Sequence, residues 1–407
     1  MKFSLKRYMK TIKDFAYSFV AYALPTVALQ FAIQPFIAAQ LPAEENGLFL
    51  SLFNAIKLCV TVLVAALANA RLLDKQSCKE NRELEKSYNL LFVLVVTVAL
   101  AAMAAFSLFY RGVNASAWDY LRLFLAAFLL CAHDFYAISF RVDINYKNIL
   151  IDNVWILVGY AIGSFVFYKT GHWEYIFILG YTLGCAFVLR KTDMWKAGLS
   201  LKTMGDILPK YAPLCASSAM GSLTVYCDRL LIYPMIGGYA VSVYTAAAVV
   251  SKVISVVATP VLNVLLSYIV DRDGVSVKKQ VLKKAIPITI GGGVVVYFGL
   301  YLASIILCKL LYPQYQAAAQ QYVPIILAAV VLDTLAKVLN VVLLRFSART
   351  VQMLKAAIKI GVYLGGVFLL VSGFQLGLLG FCLAILLADG INLMVVLFYF
   401  MKNITIK

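Results

Sequence analysis

Twelve runs of roughly 20 apolar residues, separated by short polar stretches, recur along the chain and constrain its fold more than any other feature. In a lipid interior a segment must satisfy its own backbone hydrogen bonds, and runs of this length do so as α-helices. The spans read at 15–39, 47–70, 88–110, 120–140, 149–168, 174–189, 211–236, 240–270, 285–308, 322–343, 351–371 and 378–401. The first follows Lys2, Lys6, Arg7, Lys10 and Lys13, as in a signal peptide, but at 25 residues it is too long for a cleaved apolar core and reads as a retained helix. The expected fold is therefore an all-α membrane protein of about 12 transmembrane helices.

Composition supports this reading. Of the 407 residues 63% are hydrophobic and 14% charged, far from the balance of a water-soluble domain. The net charge of +17 sits in short runs between apolar segments, which argues for membrane topology and against nucleic acid. With the N-terminus inside, cytoplasmic segments hold 27 of the 36 Lys and Arg residues and external loops hold four. The other five, Lys57, Arg229, Lys252, Lys337 and Lys359, fall deeper within spans than Arg122 and Lys355, which sit at span ends and are counted with the loops. Both termini are thus expected in the cytoplasm. Seven of the eight cysteines lie in apolar segments and Cys78 in a cytoplasmic loop, so no disulfide framework is expected. Two histidines and no Cys-x-x-Cys give no metal site, and nothing calls for a cofactor.

An internal repeat adds organisation. At an offset of 195, residues 47–57 lie over 242–252, so Lys57 corresponds to Lys252. The same offset lays 31–37 over 226–232 and pairs Gln34 with Arg229. A shift of six spans keeps both halves in the same direction across the membrane. This predicts two six-helix lobes, 1–196 and 197–407, related by a pseudo-twofold axis along the membrane normal around a central cleft.

Three short motifs then carry a resemblance. Leu41-Pro-Ala-Glu-Glu-Asn-Gly-Leu-Phe49 is similar to the external turn that opens the second helix of polysaccharide transporters. Asp228-Arg-Leu-Leu-Ile232 followed by Tyr244-Thr-Ala-Ala247 resembles that family's Asp-Arg helix end and Tyr-x-x-Ala helix start. Gly377-Leu-Leu-Gly380 with Ala384 is similar to its closing Gly-x-x-Gly-x-x-x-Ala. The family is the Wzx-type flippases of O-antigen and capsule units, within the multidrug/oligosaccharidyl-lipid/polysaccharide exporter superfamily. The resemblance implies a V-shaped pair of lobes that carries an undecaprenyl-diphosphate-linked oligosaccharide outward. It further implies a coupling ion, proton or sodium, and a polysaccharide polymerase as partner.

Polar residues inside spans are costly and should face a cavity or a partner. Ser51, Asn54, Lys57 and Thr61 share one face of the second span; Lys252, Ser255, Thr259 and Asn263 share one face of the eighth. The first span offers Tyr22, Thr26, Gln30 and Gln34, and the seventh Ser222, Tyr226, Arg229 and Tyr233. Lys57, Arg229 and Lys252 suit a diphosphate, because Arg grips phosphate oxygens in pairs and Lys acts as a point charge. Gln30, Gln34, Asn54, Asn263, Tyr226 and Tyr233 suit sugars through amides, hydroxyls and rings.

Asp228, expected on a different face from Arg229, reads as a structural counter-ion or a titrating group for ion coupling. Asp333 and Lys337 are spaced to neutralise each other, and Lys359 and Asp389 to pair across helices. His133 and Asp134 form a further candidate proton site. Pro25, Pro35, Pro213 and Pro234 mark bends in the first and seventh spans.

An ion-coupled multidrug antiporter on the same fold is the competing function; its cationic cargo would favour an acidic cleft. No loop carries an array of catalytic carboxylates or a nucleotide-binding motif, so the reading is a transporter and not an enzyme. Topology is testable in a background lacking the eight native cysteines. Single cysteines at Ala43 and Gly238 should react with an impermeant maleimide on intact cells, and those at Ser77 and Ser276 should not. Labelling at Ser276 would overturn the arrangement of the second half.

Overall fold

The computed structural model describes residues 20, 21, 23–112, 116–143, 145–251, 254, 279–343 and 349–405. Helix runs through nearly all of them, and no strand occurs among the described residues. The helices are α1 (Gln34–Gln40), α2 (Ala43–Leu73), α3 (Arg82–Arg111), α4 (Ala117–Val142), α5 (Tyr146–Thr170) and α6 (Glu174–Lys191). After a loop come α7 (Met204–Ile236), α8 (Gly238–Ala247), α9 (Lys279–Leu311), α10 (Val323–Leu343), α11 (Arg349–Val367) and α12 (Gly377–Thr405).

Eight helices among the described residues are long and apolar enough to cross a membrane, drawn from α2–α5 and α9–α12. The other four have identifiable reasons. Helices α1 and α8 run into residues outside the description. Helix α6 carries Glu174, Arg190 and Lys191 within its 18 residues, and α7 dilutes its apolar run with Pro213, Ser217, Ser218, Ser222 and Thr224. The protein is a multi-pass α-helical membrane protein.

The repeat is visible in helix starts: α2 begins at Ala43 and α8 at Gly238, separated by the same 195 positions. By α6 and α12, which begin at Glu174 and Gly377, the separation has grown to 203.

Two compact units emerge, Met1–Leu230 and Leu231–Lys407. The division at 196/197 follows the repeat, whereas packing draws the line later because most of α7 is tied into the first unit. Lys210 Nζ bonds both carboxylate oxygens of Asp74 at 2.6 and 2.8 Å, and Tyr88 donates to the same carboxylate at 2.9 Å. Tyr211 donates to the Leu63 carbonyl at 3.2 Å and Tyr110 to the Leu230 carbonyl at 2.8 Å.

Glycines set the closest helix approach in the first unit. Gly159 and Gly163 of α5 face α6, where Gly180 and Gly184 repeat the same four-residue spacing. A Cβ on Gly159 would stand 2.5 Å from the Gly180 Cα, and one on Gly163 2.5 Å from the Ile176 Cα. Small residues spaced by four let helix backbones meet in lipid, where apolar side chains gain nothing over lipid tails. Aromatic rings fill the space beside this contact, with Phe53 stacked on Phe177 at 4.4 Å and Phe49 tilted against Trp173 at 4.9 Å between centroids.

Pro35 bends the first helix by a definite route. Proline has no N–H for the carbonyl four residues back and its ring crowds it. The chain responds with a π-turn at Leu29–Ile33, in which the Gln34 N–H bonds the Leu29 carbonyl. Further π-turns interrupt α2 at Val60–Val64 and follow α11 at Phe368–Gly373.

In the second unit the two expected ion pairs both form. Lys337 lies 2.6 Å from Asp333, and Lys359 lies 2.5 Å from Asp389 and 2.7 Å from Asp333. The Gly377–Ala384 motif packs α12 on α11: a Cβ on Gly366 would stand 3.2 Å from the Ala384 Cβ. All eight cysteines are free.

Overpacking a close helix contact costs about 1–3 kcal/mol. Gly159→Leu or Gly180→Leu should therefore lower the melting temperature of detergent-solubilised protein by several degrees. Gly299→Leu, where a side chain meets open space, should leave it unchanged. Equal melting temperatures for all three variants would remove the glycine contact as a determinant of the fold.

Candidate functional site

The polar face of α2 turns inward within the first unit. Ser51 is fully buried and its hydroxyl donates to the Arg229 carbonyl at 3.3 Å. Three residues on, the Asn54 amide donates to the Leu50 carbonyl of its own helix at 2.5 Å. One further turn places Lys57 against α6. Its Nζ donates to the Tyr181 hydroxyl at 3.4 Å and stands 5.7 Å from the ring centroids of Phe53 and Tyr181. Among the described residues no carboxylate lies within ion-pair distance of Lys57. The cation is held by a phenol and two ring faces, each of which offers modest stabilisation.

Behind Lys57 the network continues. Tyr160 of α5 donates to the Tyr181 hydroxyl at 3.2 Å. Both tyrosines directly follow glycines of the α5–α6 contact, which brings their hydroxyls into range. The His133 ring of α4 lies 5.4 Å from the Tyr181 ring. Its Nε2 is 2.8 Å from Asp152 Oδ2, and its Nδ1 is 3.3 Å from Asp134 Oδ1. A Cβ on Gly184 would stand 3.1 Å from the His133 ring, so glycine there makes room for it. Asp152 is only 2% exposed, and its Oδ1 has no hydrogen-bond partner. Lys57 and Asp134 also interact electrostatically. One lysine, two carboxylates and a histidine sum to zero charge when the ring is protonated and to −1 when it is neutral. A single proton therefore decides the charge of a largely enclosed cluster spread over α2, α4 and α5.

Arg229, 6% exposed, belongs to a separate arrangement. The Asp228 carboxylate accepts from the Arg229 amide at 2.8 Å and lies 3.5 Å from its guanidinium. This corrects the expectation that Asp228 points to a different face. By folding back onto the next N–H, the carboxylate reaches the neighbouring side chain. Asp228 is the counter-ion of Arg229 in this geometry.

Other sequence-derived positions spread out. Gln34 is buried at the start of α1, just after the π-turn that contains Gln30. Tyr226 is half-buried on α7, and Tyr233, also half-buried, follows the Leu230/Leu231 boundary. Lys252 and Asn263 lie outside the described residues. Lys57, half-buried, and Arg229, buried, both lie in the first unit but are held by different partners. Sequence reasoning did not find Asp152, Tyr160 or Tyr181. The signal for Asp152 was a lone carboxylate within the apolar run 149–168.

No family model matches the chain, and no curated protein matches its sequence. Solved structures do. An inward-facing multidrug resistance MATE transporter of the MOP superfamily aligns with a TM-score of 0.73 at 14% identity, over 96% of this chain and 98% of the other. The lipid II flippase MurJ, in an inward closed conformation, aligns with a TM-score of 0.73 at 12% identity, over 96% and 90%. The MATE transporter VcmN of Vibrio cholerae aligns with a TM-score of 0.56 at 14% identity, over 97% of each chain. At these identities the likeness establishes the fold. The chain is an integral membrane protein with the fold shared by these MOP-superfamily transporters.

The Asp228–Arg229 pairing is testable by stability. Breaking a buried ion pair costs about 3–5 kcal/mol. Asp228→Leu should therefore lower membrane abundance and melting temperature markedly. Asp228→Asn keeps an acceptor for the Arg229 amide and should lose much less. Unchanged stability of the leucine variant would remove the counter-ion role.

Proposed function

We propose that the protein is a flippase. On this reading it translocates a polyprenyl-diphosphate-linked oligosaccharide from the inner to the outer leaflet of the bacterial cytoplasmic membrane, by alternating access, for O-antigen or capsule assembly. One observation carries the choice of cargo. Lys57 is a cation within a membrane span whose described contacts include no ion-paired carboxylate, only a hydroxyl and two aromatic rings. A charge in that position is costly without a partner, and a diphosphate supplies one. The Wzx-like motifs and the fold shared with a lipid II flippase support the same class of cargo. The reaction moves a lipid without changing a covalent bond. A polysaccharide polymerase is the expected consumer of the delivered lipid.

The His133 cluster supplies coupling in this proposal. Binding an anion near Lys57 draws that charge from Asp134, which alters the balance that holds the His133 proton between Asp134 and Asp152. Proton movement is favoured over sodium because the paired carboxylates already share a histidine. The same titratable cluster, with the MATE likeness, is what favours the second reading, an ion-coupled antiporter of small cations.

The two readings separate in a strain lacking its own flippase. A phosphate contact to a fixed cation is worth about 1.5–3 kcal/mol, or roughly ten-fold or more in rate. Lys57→Gln should cut export of lipid-linked glycan by that factor at normal membrane abundance, and the double variant with Lys252→Gln by more. Arg229→Gln should reduce export similarly, and Arg229→Lys should recover part of it. Near-normal export by the double lysine variant would sink the diphosphate reading. Efflux of a cationic dye that persists in Lys57→Gln would instead favour the antiporter.

A further inference from the structure

A pocket of about 260 Å³ opens in the first unit, at the helix ends where the chain's Lys and Arg residues concentrate. Arg71 and Arg82, at the end of α2 and the start of α3, line it together with Lys75, Glu85, Asp143 and Thr192. Arg71 is 6% exposed; one Nη donates to Glu85 at 2.7 Å, while its Nε is buried with no hydrogen-bond partner. Lys75 donates to the Val142 carbonyl. Arg82 is exposed and forms no ion pair among the described residues. Thr192 accepts from the Met194 amide at 3.3 Å, which leaves its O–H to donate.

The acids in the wall are mostly committed. Glu85 is held by Arg71, and Asp193 by Lys196 at 2.7 Å, which keeps its carboxyl below the usual range. Cys78, also in the wall, is neutral because burial pushes its thiol up to about 11. Asp143 is the remaining carboxylate, set against three cations.

Next to the wall in sequence, the exposed side chains have the composition of a membrane interface. Leu73, Trp195 and Leu199, each within two residues of a wall residue, are large apolar side chains left exposed. Such residues, with Trp above all, sit at the level of lipid headgroups. Basic pockets on the cytoplasmic side of helical membrane proteins suit phosphorylated headgroups.

We propose that this pocket binds the phosphate of an anionic lipid headgroup from the cytoplasmic leaflet. Arg71 is the fixed donor at its floor, and Arg82 and Lys75 close over the phosphate from the rim. The Arg71 Nε–H, left without a partner, can donate to one phosphate oxygen, and Arg82 and Lys75 add donors for the others. The site is separate from Lys57 and does not depend on what the protein transports.

Full-length protein in detergent can be titrated with dioctanoyl phosphatidylglycerol, with retained lipid read by native mass spectrometry and stabilisation by melting temperature. The same titration with farnesyl diphosphate, dioctanoyl phosphatidylcholine and inorganic phosphate distinguishes the sources of the anion. Phosphatidylglycerol should bind more tightly than phosphatidylcholine, and Arg82→Gln should weaken it by about ten-fold. Arg82 is exposed and has no ion pair to lose among the described residues, so this variant should fold normally where Arg71→Gln risks stranding Glu85. Tighter binding of farnesyl diphosphate, with the same dependence on Arg82, would support the site and assign it to a diphosphate lipid. Binding of phosphatidylglycerol that is indifferent to Arg82→Gln, or no stronger than that of phosphatidylcholine, would overturn the proposal. So would binding of inorganic phosphate alone.

Discussion

The approach of α5 to α6 governs the interior of the first unit. Gly159 and Gly163 meet Gly180 and Ile176 at a distance that no Cβ fits. Without that approach the Tyr160 and Tyr181 hydroxyls, which follow two of these glycines, would not come within 3.2 Å. Nor would α6 leave room at Gly184 for the His133 ring. The polar network is thus built on absent side chains. In lipid this is efficient, since close backbone packing is one of the few attractions that helices have for each other there.

That network places unlike charges close together without pairing them all. His133 takes both neighbouring carboxylates, whereas Lys57 has none within ion-pair reach among the described residues. A charge within a membrane span that lacks a counter-ion is costly, and Asp152 adds an unsatisfied oxygen. The second unit shows the contrast: Lys359 touches two carboxylates and Lys337 one of the same pair. Lys359 and Lys337 are thus closed against carboxylates, whereas Lys57 of the first unit retains capacity to respond to something that arrives.

Much of this was legible in the chain, for reasons of distance along it. Spans follow from uninterrupted apolar runs, and the start of α8 follows from that of α2 at one fixed offset. The Asp333–Lys337 pair lies within one helix, where spacing alone places both on one face. His133 and Asp152 sit on different helices, and no periodicity reports their pairing. Asn54 looked available for a ligand, but its amide turns to the Leu50 carbonyl behind it. Arg229 looked like an open cation, and the residue before it supplies the counter-charge. Both departures are short-range hydrogen bonds, which helical faces drawn from sequence do not contain.

The Asp333–Lys359–Asp389 bridge also bears on biogenesis. Its members come one each from α10, α11 and α12. Asp333 already has Lys337 on its own helix, whereas Lys359 of α11 and Asp389 of α12 would each be an uncompensated charge in hydrocarbon without the other. Entry of α11 into lipid is therefore favoured once α12 is there to pair with it, so the two leave the insertion machinery most readily as one assembled group.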